Sequence, residues 1–160
     1  MIHAGIVGAT GYAGSELVRL LLSHPEAEVT AISSVSFEGK AISEVYPAYF
    51  NLCDMVCETA GQVVDKCDVV FAALPHGLSQ ELAKACDEKG KAFIDLGADF
   101  RLDSEEEYQN GTAEPIRTRS SMKRRFTACR SCSVRIFSEK GSLPIRAAIR
   151  LGLRWLWRRR

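Results

Sequence analysis

Three groups of residues in this sequence have the types and spacing to do chemistry. The first is Gly8, Gly11 and Gly14, set three apart between an apolar run at 2–7 and a stretch with helical periodicity. A phosphate nearing a helix N-terminus needs bare backbone N–H groups, and glycine admits it where a side chain would intervene. With Thr10, Tyr12 and Ala13 between the glycines, the segment reads as a phosphate grip at a strand-to-helix turn. The second group is Ser33, Ser34 and Ser36, with Lys40 beyond, at the end of the next β-branched run. The third is the thiols and imidazoles: six cysteines, at 53, 57, 67, 86, 129 and 132, and the histidines His3, His24 and His76. Cys67 and Cys86 sit in apolar or helical contexts and read as packing residues. Cys129 and Cys132 form C-x-x-C, the spacing of half a metal site or a redox pair. No second pair and no later histidine accompany them, so no metal centre is expected.

The glycine pattern is G-x-x-G-x-x-G, without the Gly-Lys-Ser/Thr of a nucleoside-triphosphate loop, which disfavours ATP or GTP hydrolysis. The alternative is a turn that needs glycine only for close helix–strand packing. For a dinucleotide, an Asp or Glu at the end of the second strand would accept from the adenosine ribose. Here that place holds serines with a nearby cation, which favours NADP over NAD. Loop solvation explains any single serine as well.

The elements that must position these residues follow from periodicity. Residues 2–7 form a buried parallel strand, 15–23 a helix with Leu17, Val18, Leu20, Leu21 and Leu22 toward the sheet, and 28–33 a second strand, together a right-handed βαβ unit. Residues 34–57 read as a loop with a short helix near 41–45. A core strand at 68–74 ends in Pro75-His76-Gly77. A helix at 78–89 turns Leu82, Ala83 and Cys86 inward and stops at Gly90, and a short strand spans 92–96. The alternation predicts an α/β fold: a Rossmann-like, doubly wound, mostly parallel sheet.

A net charge of +1 hides a split. Residues 1–109 hold eighteen Asp/Glu against seven Lys/Arg, whereas residues 110–160 hold two against fourteen. Residues 110–137 keep no period of two or 3.6, and a helical pattern returns only at 142–160, where Arg146, Arg150 and Arg154 recur every fourth residue. The expected organisation is a nucleotide-binding domain at 1–109, truncated, and an aberrant, irregular basic tail at 110–160, from a shifted reading frame or disordered. No export signal or membrane-length apolar run is present, so a cytoplasmic setting with reduced thiols is expected.

Three motifs carry a family resemblance: Gly8-Ala-Thr-Gly-Tyr-Ala-Gly14, Ala73-Leu-Pro-His-Gly77 and Ile94-Asp-Leu-Gly-Ala-Asp-Phe-Arg-Leu102. In this order the segment 1–109 resembles the N-acetyl-gamma-glutamyl-phosphate reductases, the arginine-pathway branch of the semialdehyde dehydrogenases. The resemblance implies a cytoplasmic, oligomeric oxidoreductase that reduces an acyl phosphate to an aldehyde with NADPH. By position it makes Thr10, Gly11, Tyr12 and Ala13 pyrophosphate contacts, puts Ser33, Ser34 and Ser36 near the adenosine ribose, and lines the nicotinamide side with Ala73, Leu74 and Pro75. Val35 stands where many relatives have Arg. Asp95, Asp99 and Arg101 would order the sheet edge through ion pairs.

The family's chemistry uses a cysteine in a Gly-Asn-Pro-Gly-Cys-Tyr-Pro-type loop and a later histidine. This sequence has neither, since Cys129 and Cys132 lie in Thr-Ala-Cys-Arg-Ser-Cys-Ser and no histidine follows residue 76. The resemblance therefore implies the cofactor-binding half without catalytic residues, inactive alone. The alternative is a non-catalytic nucleotide-binding module whose Arg-rich tail, with Trp155 and Trp157, contacts a membrane surface or, nonspecifically, nucleic acid.

Overall fold

The structure is a computed structural model, and it describes residues 1–97 together with the backbone of residues 125–127. Expectations for the rest of the tail, for Asp99 and Arg101 and for Cys129 and Cys132 fall outside the described residues. Nine elements in chain order position the site: β1 (Ile2–Val7), α1 (Tyr12–Leu21), β2 (Ala27–Ser33), α2 (Ile42–Val45), β3 (Cys57–Glu58), α3 (Ala60–Lys66), β4 (Val69–Ala72), α4 (Ser79–Glu88) and β5 (Ala92–Asp95). A 3-10 turn at Pro47–Tyr49 follows α2. Beyond the boundary expected at 109, β6 (Arg125–Thr127) pairs with β5, so the region read as irregular contributes a strand.

The strands lie in the order β3-β2-β1-β4-β5-β6, and every pairing between them is parallel. Successive residues of a strand face opposite sides, which explains the continuous apolar runs: β1, β2 and β4 are covered on both faces. On one face Ile6, Val29, Ile32 and Cys57 pack with Val18 of α1, Ile42 of α2 and Tyr49. On the other, Val7, Ala31, Val70, Ala72 and Phe93 meet Val63 and Val64 of α3 and Leu82 and Cys86 of α4. Helices on both faces make the sheet doubly wound.

Three differences from expectation have physical reasons. Helix α1 begins at Tyr12 rather than at residue 15, because Gly11 serves as its N-cap residue and Gly14 lies within its first turn. Leu22 is exposed, not inward, because the helix has ended at Leu21. Strand β3 and helix α3 fill a stretch without an expected element, and α3 starts from a capping box in which Thr59 and Gln62 satisfy each other's backbone N–H. The expected stop of α4 at Gly90 is a Schellman end: Lys91 N–H donates to the Cys86 carbonyl at 2.8 Å and Gly90 N–H to Asp87 at 3.0 Å.

Candidate functional site

In a sheet of this order the chain leaves β1 toward one edge and β4 toward the other, opening a crevice at the carboxyl ends of these neighbouring strands. The loops after β1, β2 and β4 meet there. Gly8 and Ala9 both donate backbone N–H to the Ser33 carbonyl at 2.9 Å, and Ala73 N–H donates to the Val7 carbonyl at 2.9 Å. Thus three of the segments singled out from sequence, 8–14, 33–36 and 73–75, come to one place.

The glycines there do different work. Gly8 has φ +85°, and a Cβ on it would stand 2.3 Å from the Ala73 carbonyl oxygen. A Cβ at Gly14 would lie 2.0 Å from the Gly8 carbonyl oxygen. These two let the loop fold against β4 and α1 against the loop, as the packing alternative expected of them. A Cβ at Gly11 would meet only the Gly8 carbonyl oxygen, at 3.4 Å, so open space lies before this exposed residue.

Helix α1 has no side-chain cap and no acidic residue in its first turn. Its first intrahelical bond of α type comes from Ser15 N–H to the Gly11 carbonyl at 2.8 Å, so the amides of Tyr12, Ala13 and Gly14 have no carbonyl within the helix to meet. The carbonyl side of the turn is tied off instead. Tyr46 donates its hydroxyl to the Thr10 carbonyl at 2.6 Å, and Tyr49 donates to that of Ser15. Burial is the main cause that pushes the Tyr49 phenol above its ordinary range, which keeps it a donor. The two rings meet edge to face, centroids 6.4 Å apart. Spacing alone did not single out these tyrosines.

Of the other site residues, Tyr12, Ala13, Ser36 and Pro75 are exposed, and Thr10, Ala73 and Leu74 are half-buried. Leu74 leans on the α3/α4 face of the core. Ser33 and Ser34 are buried, and the Ser34 and Thr10 hydroxyls share a hydrogen bond of 2.6 Å. Val35 is 89% exposed, and the Lys40 ammonium lies 5.9 Å from the Phe37 ring centroid. Asp95, expected at an ion-paired sheet edge, is fully buried and accepts a hydrogen bond from Ser79 Oγ at 2.9 Å.

Cys53, Cys57, Cys67 and Cys86 are buried free thiols. Desolvation is the main cause that pushes Cys67 up to about 11 and Cys86 up to about 12, far from the thiolate a nucleophile needs. Among the described residues no group of three or more His, Cys, Asp and Glu is placed to hold a metal ion. None of their helices is long and apolar enough to cross a membrane.

The bare helix terminus, the open space at Gly11 and the crevice at the strand reversal define a dinucleotide-binding α/β domain. Residues 3–130 match the family described as semialdehyde dehydrogenase, NAD binding domain, and the chain belongs to that family. It is 58% identical over 109 residues to the N-acetyl-gamma-glutamyl-phosphate reductase of Clostridium beijerinckii, covering 68% of this chain and 32% of that one. To the enzyme of the same name from Brachyspira hyodysenteriae it is 53% identical over 110 residues, covering 69% and 31%. Aspartate semialdehyde dehydrogenase from Candida albicans, solved with NADP, superposes with a TM-score of 0.57 at 27% identity, over 66% of this chain and 32% of that. The chain thus spans about a third of the length of these relatives.

Proposed function

We propose that this chain is the NADP-binding portion of a reductase that converts N-acetyl-glutamyl phosphate to its semialdehyde in arginine biosynthesis. The observation that carries the reading is the convergence of the loops after β1, β2 and β4 on an uncapped α1 terminus. The names and identities of the bacterial relatives support the substrate.

On this reading the amides of Tyr12 and Ala13, with Thr10 and Gly11, hold the pyrophosphate, while Gly8 and Gly14 permit the turn. Ser36 and Lys40 flank the adenosine ribose. Ser34 acts through its bond to Thr10, and Ser33 through its carbonyl, which anchors Gly8 and Ala9. Ala73, Leu74 and Pro75 form the wall on the nicotinamide side. NADPH, when bound, supplies hydride; the chain's own residues bind and orient it. With Val35 in place of a cation, preference for NADP over NAD falls to Ser36 and Lys40.

The acyl phosphate, an oligomeric assembly and a cytoplasmic setting come with the same reading. So does inactivity of the chain alone, because the sequence has no matching cysteine loop. The purified chain should quench and shift NADPH fluorescence in a saturable titration and show no acyl-phosphate-dependent NADPH oxidation. Absence of saturable binding, or robust turnover, overturns the proposal. The charge reversal near residue 110 is read as a shifted frame; if neither alternative frame downstream encodes a Gly-Asn-Pro-Gly-Cys-like segment, that part fails.

A further inference from the structure

Asp95 ends β5 with its side chain fully buried. Burying a carboxylate costs heavily, and an apolar residue would pack there without that cost. Its neighbours indicate what it does. It pairs across the sheet with Ala72, the last residue of β4 before the loop 73–78. Ser79, the fully buried first residue of α4, donates Oγ–H to Asp95 Oδ1 at 2.9 Å. The carboxylate therefore sits at the positive end of a ten-residue helix, where negative charge is favoured. The loop's other end is fixed by the Ala73 N–H bond to Val7. Between these anchors Pro75, His76 and Leu78 are exposed and Gly77 turns at φ 84°.

We infer that Asp95 and Ser79 are positioning residues for the nicotinamide half of the dinucleotide. They fix the far end of loop 73–78 and thereby set the wall against which that half rests. The inference depends on the proposed function, in which 73–75 line the nicotinamide side. The adenosine half belongs to the opposite side of the crevice, beyond β1, where Ser34 and Ser36 follow β2.

Two ligands separate the halves: NADPH, and 2′,5′-ADP, which carries only the adenosine end. Both are titrated by calorimetry into the full chain and into Asp95→Asn, Ser79→Ala and Ser79→Thr. Loss of the charge that assists the buried hydrogen bond in Asp95→Asn, and of the bond itself in Ser79→Ala, should each weaken NADPH about tenfold. The 2′,5′-ADP affinity should stay within about twofold, and Ser79→Thr, which keeps the hydroxyl, should bind NADPH like the unsubstituted chain. Equal weakening of both ligands, or no weakening of either, overturns the inference. Should Asp95→Asn lose its far-ultraviolet dichroism, Ser79→Ala decides by the same pair of titrations. An unsubstituted chain that binds neither ligand overturns the dinucleotide reading itself, and the inference with it.

Discussion

Helices α1 and α3 pack on opposite faces of one sheet and begin in opposite ways. At α3, Thr59 Oγ1 accepts from Gln62 N–H at 3.4 Å, and Gln62 Oε1 accepts from Thr59 N–H at 3.0 Å. Its terminus is closed by its own side chains. At α1, Gly11 offers no cap, and the side chains that reach the turn, Tyr46 and Tyr49, occupy carbonyls rather than amides. Glycine in place of a capping side chain costs a few tenths of a kcal/mol. Helices α2 and α4 also begin without a side-chain cap, at Ala41 and Leu78; α1 differs in that open space lies before its Gly11 at the crevice, which is what a site for an external anion requires. The comparison separates residues that make the mouth from residues that keep it empty.

The largest expected effect tests how the mouth is made. Gly8→Ala forces a side chain into a left-handed conformation and to 2.3 Å from the Ala73 carbonyl oxygen, both backbone constraints that rotamer changes cannot relieve. Strain and overpacking together should cost about 3 kcal/mol or more in urea unfolding. A variant as stable as the original would show that the loop is not wedged between β1 and β4.

Next comes closure of the mouth. Gly11 has φ −80° and ψ 166°, extended values any residue adopts, and little stands near its missing Cβ. Gly11→Asp should make α1 resemble α3, raising stability by a few tenths of a kcal/mol. The carboxylate would take the amides and repel the pyrophosphate, lowering NADPH affinity by about a hundredfold. Undiminished NADPH binding would break the comparison, since the α1 terminus would then not be the anion site.

The same contrast explains what could be read from sequence. β1, β4 and β5 are apolar runs bounded by turn residues, and α4 shows a clear inward face ended by Gly90, so all were legible. Strand β3, at two residues, is too short to show a period. α3 has only Val63 and Val64 buried in its seven residues; its readable cue was Thr59 three places before Gln62. For α1 the glycines misled, because glycine is disfavoured within helices and pushed the expected start to residue 15. Gly14 lies inside the helix because the Gly8 carbonyl leaves no room for a Cβ. The glycine loop, the serines and 73–75 were found by type and spacing. That Ser34 is spent on Thr10, that Tyr46 and Tyr49 hold the turn, and that Asp95 meets Ser79 are tertiary pairings without a local signature.

A smaller effect distinguishes the sealed side of the sheet from the open mouth by pH. Cys67 follows α3 and Cys86 lies on α4, both in the core. A thiol that ordinarily ionises at 9.0 keeps its proton to about 11 at Cys67 and about 12 at Cys86, chiefly through desolvation. The folded values lie above the unfolded one, so this contribution is complete below pH 9 and drains away as pH rises through about 11 to about 12. Unfolding in urea at pH 10 should show about 2 kcal/mol less stability than at pH 8. Backbone amides do not titrate in this range, so the loss belongs to the sealed side of the sheet and not to the α1 terminus. Equal stability at both pH values would contradict burial of these thiols.

The smallest effect is the control that gives the comparison its meaning. Thr59→Ala removes the hydroxyl that caps α3 and leaves the Gln62 backbone N–H without its acceptor. The expected loss is about 1 kcal/mol, read as a lower urea midpoint with an unchanged slope. Because α3 packs on the face of the sheet opposite α1 and Thr59 is none of the residues proposed to touch the cofactor, NADPH affinity should not change. If Thr59→Ala weakened NADPH as much as it weakened the fold, binding would be following general stability. The open terminus of α1 would then have no special claim to the ligand. If stability falls while affinity holds, and Gly11→Asp does the reverse, capping and anion binding are separable uses of the same four orphan donors at the start of a helix.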